Sequence, residues 1–263
     1  MRIIACIKQV PEAPRFEIEG GWVRIKREGV PSIVNPLDLH ALEAGLRLRE
    51  KHGGEVIAIS MGPPQCEEAL REAMAMGVDR AILLSDRRFA GSDTLATSYA
   101  LGKAIEEVGA FDLIVCGAQT IDSDTGQVGP QLAEELGVPH IAYVEKIRKV
   151  HDRLMLERVC DGFLETISVR LPALITVSKR LNVPRRPTLG GIEEAFESKA
   201  VQTWDLERIK ANPRFAGDQG SATWVRRLDP PPSKKKGQMA TESPRELANL
   251  IYQTLIERNI IEE

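Results

Sequence analysis

The residues best suited to bind a ligand lie in one polar loop between Gly117 and Gln127. Before the loop, residues 113–116 are all apolar, which predicts a parallel strand buried on both faces. A helix is predicted over 127–136, and the free backbone N–H groups at its start would face the loop. An open α/β sheet typically binds a nucleotide at such an edge. The hydrogen-bonding residues of the loop are Gln119, Thr120, Asp122, Ser123, Asp124, Thr125 and Gly126.

Three other strand-to-helix junctions have a similar character, at residues 35–38, 60–66 and 89–97. Loops at the C-terminal ends of parallel strands share one edge of the sheet, so these junctions would build one site together. An ordinary surface turn would use the same Asp, Ser, Thr and Gly residues. Taken alone, each junction is therefore compatible with a binding loop or with a plain turn.

The chemistry of each junction has two interpretations. Asn35 or Asp38 would cap the following helix or bind a ribose. Gly62 would let the backbone approach a ligand closely, or would serve only a tight turn. Asp93 or Ser92 would cap a helix whose hydroxyl groups either face a phosphate or merely accompany the cap. Lys8, just after the first strand, would face a phosphate or solvent.

Several common catalytic motifs are missing from the sequence. Neither a G-x-G-x-x-G motif after the first strand nor a P-loop lysine motif is present, which disfavours an ordinary dehydrogenase or NTPase. No nucleophile with its base, pair of buried acids or metal-ligand cluster is indicated, so no catalytic or metal-binding residue is predicted. The residues describe a binder of a nucleotide cofactor, and any chemistry would belong to that cofactor.

The order of the predicted elements indicates an α/β fold with a mostly parallel sheet, because strands and helices alternate at short spacing. After Val138-Pro139 four strand-like pieces follow, at 141–148, 153–159, 164–170 and 174–177, which either finish the sheet or form an antiparallel flap. The earlier strands are predicted at 3–7, 55–60, 81–84 and 113–116, and the helices at 39–51, 66–76, 94–108 and 127–136.

The C-terminal part of the chain is predicted to leave the sheet. Residues 182–239 are interrupted by proline and glycine, including a run of three prolines at 230–232, which indicates an irregular arm lying on another subunit. Ser243 and Glu246 form a capping box with Pro244 at the first helical position, so a last helix begins there. Its apolar stripe would bury against the chain's own core or against a partner. The stripe comprises Leu247, Leu250, Ile251, Leu255 and Ile256.

The composition limits the classes of partner. With 263 residues, 43% of them hydrophobic, the chain can bury a full core. A net charge of -3 with interspersed charges argues against nucleic acid, and the lysine run at 234–236 indicates a solvated linker. No apolar run approaches the roughly 20 residues of a membrane helix, and the chain begins with a strand pattern rather than a signal peptide. We therefore expect a cytoplasmic protein with reduced, buried cysteines.

These residues together resemble the beta (small) subunit of an electron transfer flavoprotein over nearly the whole chain. The resemblance implies a Rossmann-like fold of the adenine nucleotide alpha hydrolase type, paired with an alpha subunit that holds the electron-carrying FAD. The beta subunit's own nucleotide is AMP in ordinary members and a second FAD in electron-bifurcating members. The segments that carry the resemblance are RIIACIKQVP, VNPLDLHALEAGLRL, AISMGPPQCEEALREAMAMGVDRAILL, GAQTIDSDTGQVGPQLAEELG and DGFLETISVRLPALITVSKRLNVPR.

The resemblance also implies a division of roles along the chain. Residues 1–181 would form the nucleotide-binding domain, and residues 182–263 would hold a docking loop, the arm and a helix packed on the alpha subunit. The docking loop falls on 187–192, where Leu189 is the implied anchor on a dehydrogenase. The implied cofactor-binding residues are Cys6, Asn35, Pro36, Leu37, Asp38, Met61, Asp93, Thr94, Thr97, Gly117, Ala118, Gln119, Thr120, Asp122, Ser123, Asp124, Thr125, Gly126, Gln127 and Val128.

Two features separate this chain from the ordinary members. Residues 124–130 and the segment GSDTLAT at 91–97 resemble the bifurcating and nitrogen-fixation-associated group, which favours FAD over AMP in the beta site. In that group NADH gives a hydride to this FAD, which sends one electron to the alpha-subunit flavin and the other to a low-potential acceptor. The implied electron partner is a dehydrogenase or a quinone- or ferredoxin-linked protein. NADH oxidation is therefore expected only within a complex. Glu193 and Glu194 replace a lysine-containing run, which argues against docking to the usual acyl-CoA dehydrogenases.

Other functions compatible with a similar fold are less well matched. A stand-alone ATP-binding module of the universal-stress type would transfer no electrons and has no use for a long arm after Asn182. An ATP-pyrophosphatase-like enzyme needs a Ser/Gly-rich phosphate loop after the first strand, which Lys8-Gln9-Val10-Pro11 does not supply. Within the family, the alternative is an AMP-binding beta subunit of a one-electron shuttle.

Overall fold

The computed structural model describes residues 1–12, 15–19, 22–26, 31–225 and 239–262. They belong to two compact units, Met1–Arg227 and Leu228–Glu263. The strands are β1 (Arg2–Cys6), β2 (Gln9–Pro11), β3 (Arg15–Glu19), β4 (Trp22–Lys26), β5 (Ser32–Val34), β6 (Glu55–Met61), β7 (Arg80–Leu84), β8 (Leu113–Gly117), β9 (His140–Val150), β10 (Arg153–Cys160), β11 (Phe163–Arg170), β12 (Ala173–Val177) and β13 (Gln202–Trp204). The α-helices are α1 (Pro36–His52), α2 (Glu67–Ala75), α3 (Thr94–Val108), α4 (Val128–Glu135), α5 (Leu189–Glu193), α6 (Gly217–Gly220) and α7 (Pro244–Glu257).

The main sheet confirms the predicted α/β fold with mostly parallel strands. Its order over the described residues is β11-β10-β9-β12-β8-β1-β6-β7-β13. The chain adds β6 and β7 on one side of β1, then crosses to the other side of β1 to form β8. The strand order therefore reverses between β1 and β8. In this class of fold, the crevice at that switch point is where ligands bind.

The strands near the centre of the sheet are buried on both faces. In β1, Ile3 and Ala5 pack in the cluster that contains residues of α1 and α2. Ile4 and Cys6 pack in a second cluster, which contains residues of α3 and α4. Successive side chains of a strand point to opposite faces, so one apolar run supplies both clusters. The sheet thereby separates an α1/α2 face from an α3/α4 face.

Helix α1 begins earlier than the apolar periodicity predicts. The predicted start is residue 39, whereas the structure begins the helix at Pro36 with Asn35 in the N-cap position. Proline suits the first helical position because its missing N–H would have no partner there. The apolar pattern alone does not show this first turn, and the predicted boundary is therefore late.

The strands after residue 139 combine the two arrangements that the sequence allowed. Strand β9 pairs in parallel with β12 and antiparallel with β10, and β10 pairs antiparallel with β11. The same three strands therefore extend the parallel sheet and form an antiparallel layer at its edge.

The segment that follows β12 differs in part from the predicted irregular arm. Arg185 reaches the buried carboxylate of Glu43 on α1, with 2.7 Å between Nε and Oε2. Further along, β13 pairs in parallel with the edge strand β7. An edge strand offers unpaired backbone groups that a short segment can satisfy. This part of the segment consequently packs on the chain's own sheet.

The second unit contains α7, whose predicted start is confirmed. The Glu246 carboxylate accepts a hydrogen bond from the backbone N–H of Ser243 at 3.0 Å, as in a capping box. The proline run at 230–232 and the lysine run at 234–236 lie outside the described residues. In the part of the chain that the structure describes, no helix is both long enough and apolar enough to span a membrane.

Gly117 has no room for a side chain at the end of β8. A Cβ atom placed there lies 2.3 Å from Asp38 Oδ1 and 2.9 Å from the Leu37 carbonyl carbon. We expect Gly117→Ala to lower the free energy of unfolding by about 1–3 kcal/mol, because the start of α1 would have to move. Denaturant unfolding of the full chain measures this loss. Gly190→Ala is the control, since nothing lies within 4 Å of its Cβ position, and an equal loss in both variants would contradict the prediction.

Candidate functional site

Two hydrogen bonds to one buried carboxylate join the strand ends at the switch point. Asp38 lies in the first turn of α1 and is 4% exposed. Its carboxylate accepts hydrogen bonds from the backbone N–H groups of Lys8 at 2.8 Å and Gly117 at 3.1 Å. Lys8 follows β1 and Gly117 ends β8, so one side chain satisfies donors from both strands. Buried polar groups need such partners, and here they fix the crevice between the two strands.

Asn35 attaches the polar loop to the same place. Its side chain is fully buried and makes no cap hydrogen bond. Instead, Nδ2 donates to the carbonyl oxygen of Gln119 at 3.0 Å, and Oδ1 accepts from the N–H of Ile121 at 3.2 Å. Capping and ribose binding were the two interpretations of the 35–38 junction. The structure shows a third role, in which both polar side chains bond the backbone of the site.

Asp38 titrates far from its ordinary range. Burial raises the pKa of this carboxyl from 3.8 to about 7, against the hydrogen bonds from Asn35, Lys8 and Gly117. Desolvation disfavours the charged form of an acid, and here it outweighs the bonds that favour that form. The charge at the base of the loop therefore changes near neutral pH.

The loop ends in a cluster of backbone donors at the start of α4. Asp124 and Gly126 adopt positive φ angles of 54° and 63°, and the Asp124 N–H bonds the Thr120 carbonyl at 2.8 Å. Within the described ranges, no group accepts a hydrogen bond from the N–H groups of residues 125–129. These donors lie at the positive end of the helix dipole, which is a favourable place for a phosphate.

The start of α3 meets the same loop. The Thr94 hydroxyl donates to Gln127 Oε1 at 2.9 Å. Thr97 lies three residues further along the helix and is half-buried. Asp93 caps α3, since its Oδ1 accepts from the N–H groups of Leu95 and Ala96 at 3.0 Å. Phosphate binding and capping were both open for this junction, and the structure shows the cap.

Asp93 also holds a distant segment of the chain. Its Oδ2 accepts hydrogen bonds at 2.9 Å from the N–H groups of Ala222 and Thr223 and from the Thr223 hydroxyl. Although burial opposes the effect, these bonds and the one from Ala96 hold the pKa of Asp93 below its ordinary value. Both oxygens are therefore engaged within the chain, and Asp93 supports the site rather than offering it a free acceptor.

Lys8 forms an ion pair with the loop. Its Nζ lies 2.6 Å from Asp122 Oδ2, and the Lys8 side chain remains 43% exposed. Although burial opposes the effect, Lys8 holds the pKa of Asp122 below its ordinary value. Phosphate and solvent were the alternatives for this lysine, and in the structure its partner is a carboxylate of the loop.

Beneath the loop, the strand ends provide a mainly apolar surface on the α3/α4 face. Cys6 and Cys116 are register partners on β1 and β8, and both belong to the cluster against which Met61 and Val128 pack. A hydrogen bond with Cys6, together with burial, holds the pKa of the Cys116 thiol well above its ordinary value. That thiol is consequently neutral near pH 7 and adds no negative charge to the crevice.

Tyr143 is a residue of this edge that the sequence does not indicate. It adopts a φ of 57° in β9, next to the point where the register with β12 shifts. Its hydroxyl lies 3.5 Å from Gln119 Oε1, and its N–H bonds the Thr176 hydroxyl at 3.2 Å. Bulges of this kind commonly occur beside binding sites. A tyrosine in a strand pattern gives no local signal for such a backbone conformation.

The predicted residues divide between two places. Leu189 is 88% exposed on α5, which packs against α2 and carries none of the ligand-binding junctions. Most of the other predicted residues lie at the carboxyl edge of the sheet or in the loops that leave it. These are Cys6, Asn35, Pro36, Leu37, Asp38, Met61, Gly117, Ala118, Gln119, Thr120, Asp122, Ser123, Asp124, Thr125, Gly126, Gln127 and Val128.

This combination is typical of nucleotide-binding α/β proteins. Backbone N–H groups at the start of α4 and nearby hydroxyl groups suit a phosphate, whereas the apolar groups of Cys6 and Met61 at the strand ends and of Val128 at the start of α4 suit a purine. The residues therefore fit an adenine nucleotide.

Comparisons with known proteins agree with this class. The sequence model described as "Electron transfer flavoprotein domain" matches residues 23–208. "Electron transfer flavoprotein subunit beta" of Thermoanaerobacterium thermosaccharolyticum is 44% identical, with 99% of this chain and 100% of the relative covered. "Caffeyl-CoA reductase-Etf complex subunit CarD" of Acetobacterium woodii is also 44% identical, with 99% and 100% covered. "Protein FixA" of Bradyrhizobium diazoefficiens is 42% identical, with 97% and 91% covered.

The chain belongs to the electron transfer flavoprotein family. Its resemblance to the beta subunits of that family is confirmed, because the matches extend over nearly the whole of each chain. Membership connects the chain with flavin-dependent electron transfer.

Asp38 is expected to make stability depend on pH. Because its pKa rises from 3.8 to about 7 on folding, the folded protein binds this proton more tightly than the unfolded chain. The stabilisation is complete below the unfolded pKa and is lost as the pH rises through the folded pKa. We therefore expect the free energy of unfolding to fall between about pH 4 and about pH 7, and to fall less in Asp38→Asn.

Denaturant unfolding across that pH range tests the expectation. Asp112→Asn is the matched control, because it removes a carboxylate that bonds the Arg2 N–H at the other end of β1. Parallel pH profiles for the wild-type chain and Asp38→Asn would contradict the role given to Asp38.

Proposed function

We propose that the chain is the beta subunit of a heterodimeric electron transfer flavoprotein and binds an adenine nucleotide at its switch point. In this role it passes electrons between NADH or a dehydrogenase and the FAD of an alpha subunit. FAD is favoured over AMP as the nucleotide of the beta site, which corresponds to electron bifurcation. The proposal places the complex in the cytoplasm.

One observation carries the nucleotide proposal. No described group accepts a hydrogen bond from the N–H groups of residues 125–129. These groups lie beside the start of α3, because the Thr94 hydroxyl of that helix bonds Gln127. A monophosphate would use only part of this donor set, whereas the diphosphate of FAD would use the N–H groups together with the hydroxyl of Thr97, and with that of Thr94 once it releases Gln127. The number of donors therefore favours the larger nucleotide.

The chain's own residues would hold and shield the nucleotide. Asn35 and Asp38 keep the loop backbone in place, and the neutral Cys116 thiol adds no negative charge to the crevice. A bound flavin would supply the electron transfer itself. The protein's part is to position the nucleotide and exclude water around it.

The partner surfaces follow from exposure and sequence. Leu189, 88% exposed at the start of α5, is proposed as the anchor on a dehydrogenase or another electron partner. Helix α7, with the part of the arm that does not pack on this chain's sheet, is proposed to pack on the alpha subunit, because the apolar stripe of α7 needs a surface to cover it. No feature of the described residues favours a stand-alone ATP-binding module.

Released nucleotides would decide between FAD and AMP. We expect the heterodimer, purified and then denatured, to release two FAD, because the donor set is large enough for a diphosphate. Chromatography with absorbance detection measures both nucleotides. One FAD with one AMP would contradict the bifurcating assignment and support a one-electron shuttle. Release of FAD alone, at one per heterodimer, would contradict nucleotide binding by this chain.

Asn35→Ala tests the attachment of the loop. The variant loses both bonds to the loop backbone, so we expect nucleotide affinity to fall about tenfold, with about 1–3 kcal/mol of lost stability. Calorimetry with the nucleotide found in the heterodimer measures the affinity.

Asn182→Ala is the matched control for this variant. Asn182 also makes two side-chain hydrogen bonds to one partner, the backbone and ring of His40. It should lose similar stability and keep the affinity. Equal affinity losses in the two variants would show that Asn35 acts only through general stability.

A further inference from the structure

A groove of about 420 Å³ lies on the α1/α2 face, away from the nucleotide loop. It runs between α2, the β2–β5 ribbon and the stretch from the docking loop (187–192) to Phe196. Ile192 and Phe196 are exposed there to 42% and 58%, which is unusual for apolar side chains in one continuous groove. Its apolar lining comprises Ile33, Val34, Ala69, Ala75, Pro187, Ile192 and Phe196.

Two carboxylates, those of Glu68 and Glu72, line the groove, and neither forms an ion pair with a described residue. Glu72 lines the groove and is half-buried, and burial alone raises the pKa of its carboxyl. No cation among the described residues forms an ion pair with it. The neighbouring Glu68 differs, because Gln9 Nε2 donates to its carboxylate at 3.4 Å. A partly desolvated, unpaired carboxylate is costly, so its environment favours a cationic ligand.

The guanidinium of Arg71 is already engaged. Arg71 lies next to Glu72 in the sequence, but its Nη2 is 2.6 Å from Glu67 Oε1. Its Nη1 donates to the Ala195 carbonyl at 2.5 Å, and its guanidinium lies over the Phe196 ring at 5.3 Å. Arg71 therefore stabilises the wall of the groove and leaves Glu72 without a partner.

The rim beside Leu189 is acidic. Glu193, Glu194 and Glu197 are all exposed within eight residues of Leu189, and Lys199 pairs with Glu194 at 3.3 Å. Two of these glutamates therefore have no ion-pair partner among the described residues. A rim of this sign attracts positively charged surfaces and repels acidic ones.

We propose that this groove receives a lysine or arginine side chain, flanked by apolar residues, from a segment of the electron-transfer partner that docks at Leu189. The proposal rests on the proposed function, since that function requires a docking partner. Long basic side chains bury their aliphatic stems along apolar surface while the charged head reaches a polar group. The stem would lie against Ile192 and Phe196, and the head would bond Glu72.

Other occupants suit the groove less well. A purely apolar segment would cover Glu72 and remove its remaining water without supplying a countercharge. A free polyamine would pair with the carboxylate but leave Ile192 and Phe196 uncovered. The groove and its rim thus match a basic and apolar protein segment in both charge and polarity.

In the experiment the full chain, labelled at its methyl groups, is titrated with two synthetic peptides and followed by NMR. One peptide has the sequence Ala-Leu-Lys-Leu-Ala, and the other carries norleucine in place of lysine. We expect the methyl resonances of Ile192, Ala69 and Ala75 to shift on titration, with the lysine peptide binding about fivefold more tightly. In Glu72→Gln the two peptides should bind equally. Spermidine, titrated as a free cation, should bind more weakly than the lysine peptide.

Glu197→Gln is the control, because it removes an acidic side chain of the rim that does not line the groove. It should keep most of the preference for lysine. Equal binding of the two peptides to the wild-type chain, an unchanged preference in Glu72→Gln, or spermidine binding as tight as that of the lysine peptide would each overturn the proposal.

The nucleotide content of the Glu72→Gln heterodimer separates this proposal from the proposed function. The variant should release the same nucleotides as the wild-type complex, because Glu72 belongs to none of the ligand-binding junctions. Normal nucleotides in the wild-type complex, together with equal binding of the two peptides to the wild-type chain, would refute only the groove. Absent nucleotides in the wild-type complex would refute the function itself.

Discussion

The switch point of the sheet depends on hydrogen bonds from two buried side chains at the start of one helix. The ends of β1 and β8 and the loop after β8 carry backbone groups that the strand ladder does not satisfy. Asp38 accepts from the two strand ends, and Asn35 bonds the loop on both its donor and its acceptor side. Because unsatisfied buried groups are costly, these four bonds determine where the loop can lie.

The sheet then assigns the two candidate surfaces to different faces. Cys6, Cys116 and Met61 pack on the α3/α4 face, below the loop with its free N–H donors. The groove and Leu189 belong to the α1/α2 face, where α5 packs on α2. A strand buried on both faces supplies each cluster with alternate side chains. Nucleotide binding and docking can therefore differ in chemistry while sharing one core.

The two surfaces also have opposite electrostatic character. Near the loop, Lys8 is paired with Asp122, Asp93 is engaged by backbone donors, and the Cys116 thiol is neutral. The unengaged backbone N–H groups dominate there and favour an anion. In the groove, Glu72 forms no ion pair with any described residue, and the rim carries further glutamates, which favours a cation. The proposed function uses both, because an anionic nucleotide would bind at the loop while a protein partner would dock at the groove.

The sequence by itself determined the α/β class, most of the strands and helices, and the loop that holds the donors. Apolar periodicity, proline and glycine positions and capping residues are local signals, as Ser243 and Glu246 illustrate. Only the tertiary structure decided that Asp38 and Asn35 bond distant backbone, that Asp93 also holds Thr223, and that Tyr143 adopts a positive φ. These features depend on contacts between residues far apart in the chain, and burial at such contacts also sets the pKa of Asp38. Local sequence patterns do not encode contacts between residues far apart in the chain, so tertiary packing determined these features.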